Sequence, residues 1–321
     1  MKQPVRRITI IASGLIVLGI LLAAIGFFSG AKLSIIKTET GLKAVGPEDR
    51  KHEEWVLNEF KNLEVDLADA DIEIIPSNEY KLEIDRMEGS EITHQIKNNT
   101  LIINDKTAFP AITFSMNFSG AIQQTKIKVY IPESTEFDDV YIISKFGDTN
   151  INGVTTNNFK IASNDSDVVI KNVKSNKLAI ENKFGDITAS NVEAAQLAIQ
   201  INDGDAELSK IDITENASVI NQFGDTNLSD FTSHDIKLES KDGDINLKGK
   251  LLGQSIIDSK FGDINLALAN KESELSYDID NDFGDITING TEIVSKASKS
   301  VNGEDTLTVQ SNDGDVEITL E

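Results

Sequence analysis

An acid closing a tight corner returns at Asp148, Asp167, Asp186, Asp205, Asp225, Asp244, Asp263, Asp285 and Asp315. The first seven lie 19 or 20 residues apart, and the last two gaps are 22 and 30. Fixed-period self-similarity of this kind is the mark of a stacked repeat, and it constrains the fold more than any other feature of the chain. Aligned on the corner, an aliphatic column appears at Ile142, Ile161, Ile180, Ile199, Val219, Leu238, Ile257, Ile279 and Val309. Two residues nearer the corner, on the same side of the strand, stand Ser144, Ser163, Asn182, Ile201, Asn221, Ser240, Ser259, Asn281 and Ser311. A second strand follows each corner, with Ile151, Ile170, Ala189, Leu208, Leu228, Leu247, Leu266, Ile288 and Ile318 as its apolar column.

Each repeat therefore reads as strand, three-residue corner, strand and polar loop, and is too thin to bury its apolar face alone. The expected fold is all-β: a parallel single-chain β-solenoid of about nine to ten rungs of 19–20 residues, stacked about 4.8 Å apart. The segment 63–74 fits the same template, with Asp71 at the acid position, and predicts a first rung. Residues 139–321 are the repeat solenoid and 61–138 an irregular N-terminal β region capping its open end. The extra residues at 289–305 are expected to form a loop. A β-sandwich would not repeat the same letters in register, and a hexapeptide helix would need a third apolar face that the pattern lacks.

The start of the chain is a different material. Residues 1–7 carry Lys2, Arg6 and Arg7, and residues 8–28 carry no charge. Twenty-one helical residues rise roughly 31 Å, enough for the ~30 Å hydrocarbon core. A transmembrane anchor over 8–28 is expected, with the N-terminus cytoplasmic and the remainder extracytoplasmic. Cleavage at the small residues Ser29, Gly30 and Ala31 is the alternative. Residues 29–60 read as a juxtamembrane spacer ending in a short capping helix at 47–60, where Pro47 precedes early acids and Trp55, Val56 and Phe60 offer an apolar side.

Charge and composition exclude several functions. The chain carries 30 basic and 53 acidic residues; leaving out Lys2, Arg6 and Arg7 makes the exported part 27 against 53, net −26. Nucleic acid is repelled by such a surface. Absence of cysteine removes disulfides and thiol chemistry. The three histidines, His52, His94 and His234, are scattered, and no arginine follows Arg86 to meet an acidic polysaccharide, so an enzyme reading is disfavoured.

The corner itself offers two candidate chemistries. Its first position alternates through Phe146, Asp165, Phe184, Asp203, Phe223, Asp242 and Phe261, then Phe283 and Asp313. Large and small side chains taking turns would fill a corner without overpacking; an aromatic stripe binding something outside is the other reading. The closing acids repel one another at rung spacing. Hydrogen bonds from the backbone of their own turn would offset this. Alternatively, weak Ca²⁺ sites would join the corners with two acids, Asp165 with Asp167, Asp203 with Asp205, Asp242 with Asp244 and Asp313 with Asp315. No other cofactor is suggested.

The alternating F-G-D and D-G-D corners, the opening "LEVDLADADIEIIPS" and the strand "IKVYIPEST" together resemble the bacterial putative-adhesin repeat family, which includes LiaG-like membrane-anchored envelope proteins. The resemblance covers about residues 60–321. It implies a cell-surface β-solenoid without an established active site, so no residue role is carried over. The expected function is a non-enzymatic, membrane-anchored contact protein whose partners are envelope proteins, wall polymers or a host surface. An accessory or sensor component of a cell-envelope stress response is the alternative, and a polysaccharide-acting enzyme the disfavoured third.

Overall fold

The computed structural model describes residues 3–30, 32, 34–38, 41–87, 90–105 and 124–321. The chain divides into two units, one of residues 1–51 with 87–89 and 108–123, the other of the remainder. In the first, the uncharged run lies in a helix, Gln3–Phe28, and the strands Ser34–Thr38 and Gly41–Val45 pair antiparallel. Lys32 Nζ lies 2.7 Å from Asp49, whose Oδ2 also accepts the Gly46 N–H at 2.7 Å. Among the described residues no helix is long and apolar enough to cross a membrane. The expected transmembrane crossing at 8–28 is therefore not shown.

The second unit is the solenoid, and its rungs stack in parallel and in register. Leu178, Ile180, Ile187 and Ala189 lie beside Leu197, Ile199, Ala206 and Leu208 of the next rung. These inward columns form one continuous core from Phe60 to Leu320. The central rungs have a third side where the sequence predicts only a polar loop. After the second strand the chain turns at Asn172, Asn191, Lys210 or Asp230, each with positive φ, and continues as strand. Val173, Val192, Ile211 and Phe231 are buried there, with Ser175, Ala194, Ile213 and Ser233 behind them. The third apolar face escapes notice because its second inward column is mostly small or polar, Ile213 being the exception.

Rung order departs from chain order at the C-terminal end. The final rung, Asp305–Asp313 with Val316–Leu320, pairs on one side with Gln254–Ser259 and Ile264–Leu268. On its other side it pairs with Leu275–Ile288, so the last rung in sequence is the penultimate one in space. The expected loop at 289–305 contains a strand instead, Thr291–Lys299, running antiparallel to Leu275–Ile288 and covering the outer edge. Lys296 and Lys299 on this covering strand pair with Asp280 and Glu272, charges that discourage another strand from adding.

The N-terminal β region closes the opposite edge in the same manner. Thr100–Asp105 and Thr125–Pro132 form a rung parallel to the first, Asn62–Ser77, and Ile92–Lys97 and Lys81–Met87 lie antiparallel upon it. Residues 88–89 and 106–123 of this region lie outside the described residues. The helix expected at 47–60 is absent: Pro47–Asp49 form one 3-10 turn and Arg50–Val56 a strand paired with Lys81–Met87. Tertiary pairing overrides the helix signals. As a strand, the segment sets Trp55 against His94, tilted with ring centres 4.3 Å apart, and brings Glu53 to Arg86 at 2.8 Å.

Candidate binding edge

The corner is built around a carbonyl that points inward. Ser144 and Ser240 donate to the carbonyls of Gly147 and Gly243 at 2.9 and 3.1 Å. Asparagine reaches further: Asn182 donates to both Gly185 O and Ser166 O, and Asn221 to both Gly224 O and Gly204 O. The second bond of Asn221 covers the rung where Ile201 interrupts the polar column. A buried carbonyl without a partner costs about 1–3 kcal/mol, which accounts for the small polar residues at these rungs; Ser259 and Ser311 of the same column are buried without making such a bond.

The closing aspartates form a ladder of ten: Asp71, Asp148, Asp167, Asp186, Asp205, Asp225, Asp244, Asp263, Asp315 and Asp285. In that order the Oδ1 of each accepts the backbone N–H of the next, at 2.8–3.2 Å. The donor thus belongs to the adjacent rung, not to the acid's own turn as expected. Like charges about 4.8 Å apart repel by about 0.9 kcal/mol at a water-like dielectric, while a hydrogen bond to a charged acceptor contributes about 1.5–3 kcal/mol. The bond wins. At Asp71 burial pushes the carboxyl above its ordinary range, and the N–H of Asp148 partly offsets this.

The ladder allows a direct check. Asp205→Asn keeps the Oδ1 acceptor and should change stability by less than about 0.5 kcal/mol, whereas Asp205→Ala should cost about 1 kcal/mol in urea unfolding. Equal losses in both would show that charge, not the acceptor, matters at this position.

The phenylalanines do not fill the corner. Phe146, Phe184, Phe223, Phe261 and Phe283 are all exposed, from 39% at Phe223 to 73% at Phe283, in contrast to the fully buried Phe159 and Phe231. The packing explanation therefore fails, since a three-residue corner turns its first position outward and breaks the period-two count. In space the row runs Asp69, Phe146, Asp165, Phe184, Asp203, Phe223, Asp242, Phe261, Asp313, Phe283. Alternation falters in the sequence at Phe261, Phe283 and Asp313. The exchanged rung order restores it without a break.

Alternation has a physical effect on both residue types. It holds the outer carboxylates about 9.6 Å apart, halving their repulsion. The rings are equally separated, beyond the 4.5–7 Å of an aromatic pair, so they cannot bury their faces against each other. Lys145, Lys183, Lys241 and Lys260 stand exposed immediately before the corner. Lys241 Nζ sits 4.8 Å from the centre of the Phe223 ring.

The Ca²⁺ candidates occupy two roles. Asp167, Asp205, Asp244 and Asp315 are ladder members, whereas Asp165, Asp203, Asp242 and Asp313 lie exposed in the outer row between the rings. Among the described residues no group of three or more His, Asp or Glu could hold a metal ion. His52 meets Glu54, His94 meets Trp55 and His234 meets Asp235, each at a separate place. Shallow grooves mark the flat sides, two of them beside the features above. One of about 530 Å³ runs along Asn227, Asn246 and Asn265, which are linked amide to amide at 2.9 and 3.0 Å. The other, about 730 Å³, flanks Phe146 and Lys183.

A three-sided parallel solenoid, closed at each edge by antiparallel strands and carrying its distinctive chemistry on one corner, defines a class of repeat protein. The chain belongs to the Toastrack DUF4097 family, whose model matches residues 60–319. Among solved structures it is similar to a "putative adhesin" from Bacteroides fragilis, with 16% identity and a TM-score of 0.44 over 85% of this chain and 97% of that one. A "putative adhesin" from Parabacteroides distasonis matches at 12% identity and a TM-score of 0.43, again over 85% and 97%. A "putative lipid binding protein" from Parabacteroides distasonis matches at 13% and 0.37 over 86% and 98%. No curated protein matches the chain.

Proposed function

We propose that this chain is a non-enzymatic, membrane-anchored extracytoplasmic contact protein that uses its phenylalanine and aspartate edge to hold envelope components or another surface. The observation that carries the reading is the row of five exposed rings held two rungs apart on a rigid stack. Exposed aromatic side chains aligned on one edge offer repeated anchors to a single partner. The anchor reading is supported by the helix Gln3–Phe28, where Ile11, Leu15, Ile16, Leu18 and Leu22 are all more than half exposed. Three cations precede the apolar run, as the positive-inside rule requires of a cytoplasmic N-terminus.

Retention on isolated cell envelopes tests the edge. A chain carrying Phe146→Ser, Phe184→Ser, Phe223→Ser, Phe261→Ser and Phe283→Ser should keep its far-ultraviolet spectrum, because all five rings are exposed. Its solenoid domain should lose retention by about tenfold or more. Unchanged retention by the folded variant would remove the edge from the function.

A further inference from the structure

The edge has a repeat distance, and that distance selects a partner. Between neighbouring rings lies one exposed acid: Asp165 between Phe146 and Phe184, Asp203 before Phe223, Asp242 before Phe261, and Asp313 before Phe283. Each such gap is flanked by two exposed rings and holds one exposed carboxylate, a combination that attracts a cation through both ring quadrupole and charge. A cation already rests on one ring, Lys241 on Phe223. The closing ladder adds ten more carboxylates along the same corner, so acids outnumber the four lysines that precede the corners.

We propose that the Phe–Asp edge binds an extended polypeptide in the polyproline II conformation with a cationic side chain at every third residue. The proposal rests on the contact-protein reading above and names the chemistry of its partner. Equivalent gaps recur about 9.6 Å apart, two rungs of about 4.8 Å. A polyproline II chain advances about 3.1 Å per residue with three residues per turn, so every third side chain points the same way at about 9.3 Å. From Phe146 to Phe283 the edge spans eight rung spacings, about 38 Å, and twelve such residues span about 37 Å. The two periods stay matched over the full row.

Other conformations fail this test. A β-strand covers about 10 Å in three residues, but residues three apart point to opposite faces. A helix would need between six and seven residues at about 1.5 Å each, which is not a whole number of turns. Charge selects the side chain: an acidic partner would meet the repulsion that the alternation of Phe and Asp already reduces.

The experiment uses the full chain in lipid nanodiscs and two fluorescein-labelled probes of identical composition. One is five repeats of Lys-Pro-Pro; the other places the five lysines consecutively before ten prolines. The spaced peptide should bind about tenfold more tightly by fluorescence anisotropy at 0.15 M salt. Replacing all five edge phenylalanines with serine should bring the two peptides to one weak affinity. Equal affinities for the wild-type chain, or no binding of either peptide, would overturn the proposal. Displacement of the spaced peptide by hydroxyethyl cellulose would overturn it in favour of a neutral glycan. If envelope retention depends on the rings but the peptides bind equally, only the partner's identity fails; if retention ignores the rings, the contact reading itself fails.

Discussion

Gly204→Ala should lower the stability of the solenoid by about 3 kcal/mol or more, read as a fall in the urea midpoint of the cooperative transition. Two costs add at this corner. Its φ of 144° lies where L side chains are strained, and a Cβ placed there would sit 2.2 Å from the carbonyl oxygen of Gly185 on the stacked rung. Each effect costs about 1–3 kcal/mol. Neither rung can withdraw to make room, since Gly204 N–H is held by Phe223 O at 2.9 Å and Asp205 N–H by Asp186 Oδ1 at 2.9 Å. Gly290→Ala supplies the control, because φ there is 74° but nothing lies within 4 Å of the added carbon. It should lose only about 1 kcal/mol. A Gly204→Ala loss no larger than the control's would show that the stacked carbonyl tolerates displacement.

Deleting residues 304–321 should release far more of the chain than those residues themselves. The deleted rung lies between Gln254–Leu268 and Leu275–Ile288, and its Leu307, Val309, Val316 and Ile318 are buried between them. In a stacked array each rung is stabilised by its neighbours alone, so the outer rung and its covering strand lose the rung they stack on. Hydrogen exchange over 275–299 should rise to the level of an unfolded segment, while 155–232 keeps its protection. Direct closure of the gap would set Phe283 against Phe261 and break the alternation. Retained protection over 275–288 after the deletion would show that the outer rung can dock in that way, and would remove the special role given to the inserted rung.

The parts of the fold visible in the sequence are those where a period meets a strong residue preference. The Ile161, Ile180 and Ile199 column is aliphatic in every rung because it is buried in every rung. The third side was hidden because Thr156, Ser175 and Ser233 face inward there, and a small polar residue beside a turn reads as loop. Rung order was hidden for a different reason. All rungs share one pattern, so the pattern cannot say which rung neighbours which. One signal was present, the adjacent Phe261 and Phe283 in an otherwise alternating series, and it is explained once Asp313 is placed between them. At the corner the acids were conspicuous, but a carboxylate bonded to its own turn and one bonded to the next rung leave the same letters behind.

Backbone and surface of this solenoid repeat with different periods. The chain stacks one rung at a time, and the ladder of aspartates follows it, but the outer row of Phe and Asp recovers its identity only after two rungs. Length is therefore quantised for any surface that must stay continuous. Gain or loss of a single internal rung would bring two rings or two acids together at the junction, whereas a change of two rungs, about 38–40 residues, leaves the pattern whole. The odd-and-even rule distinguishes insertions that merely lengthen the stack from those that also cut its contact surface in two.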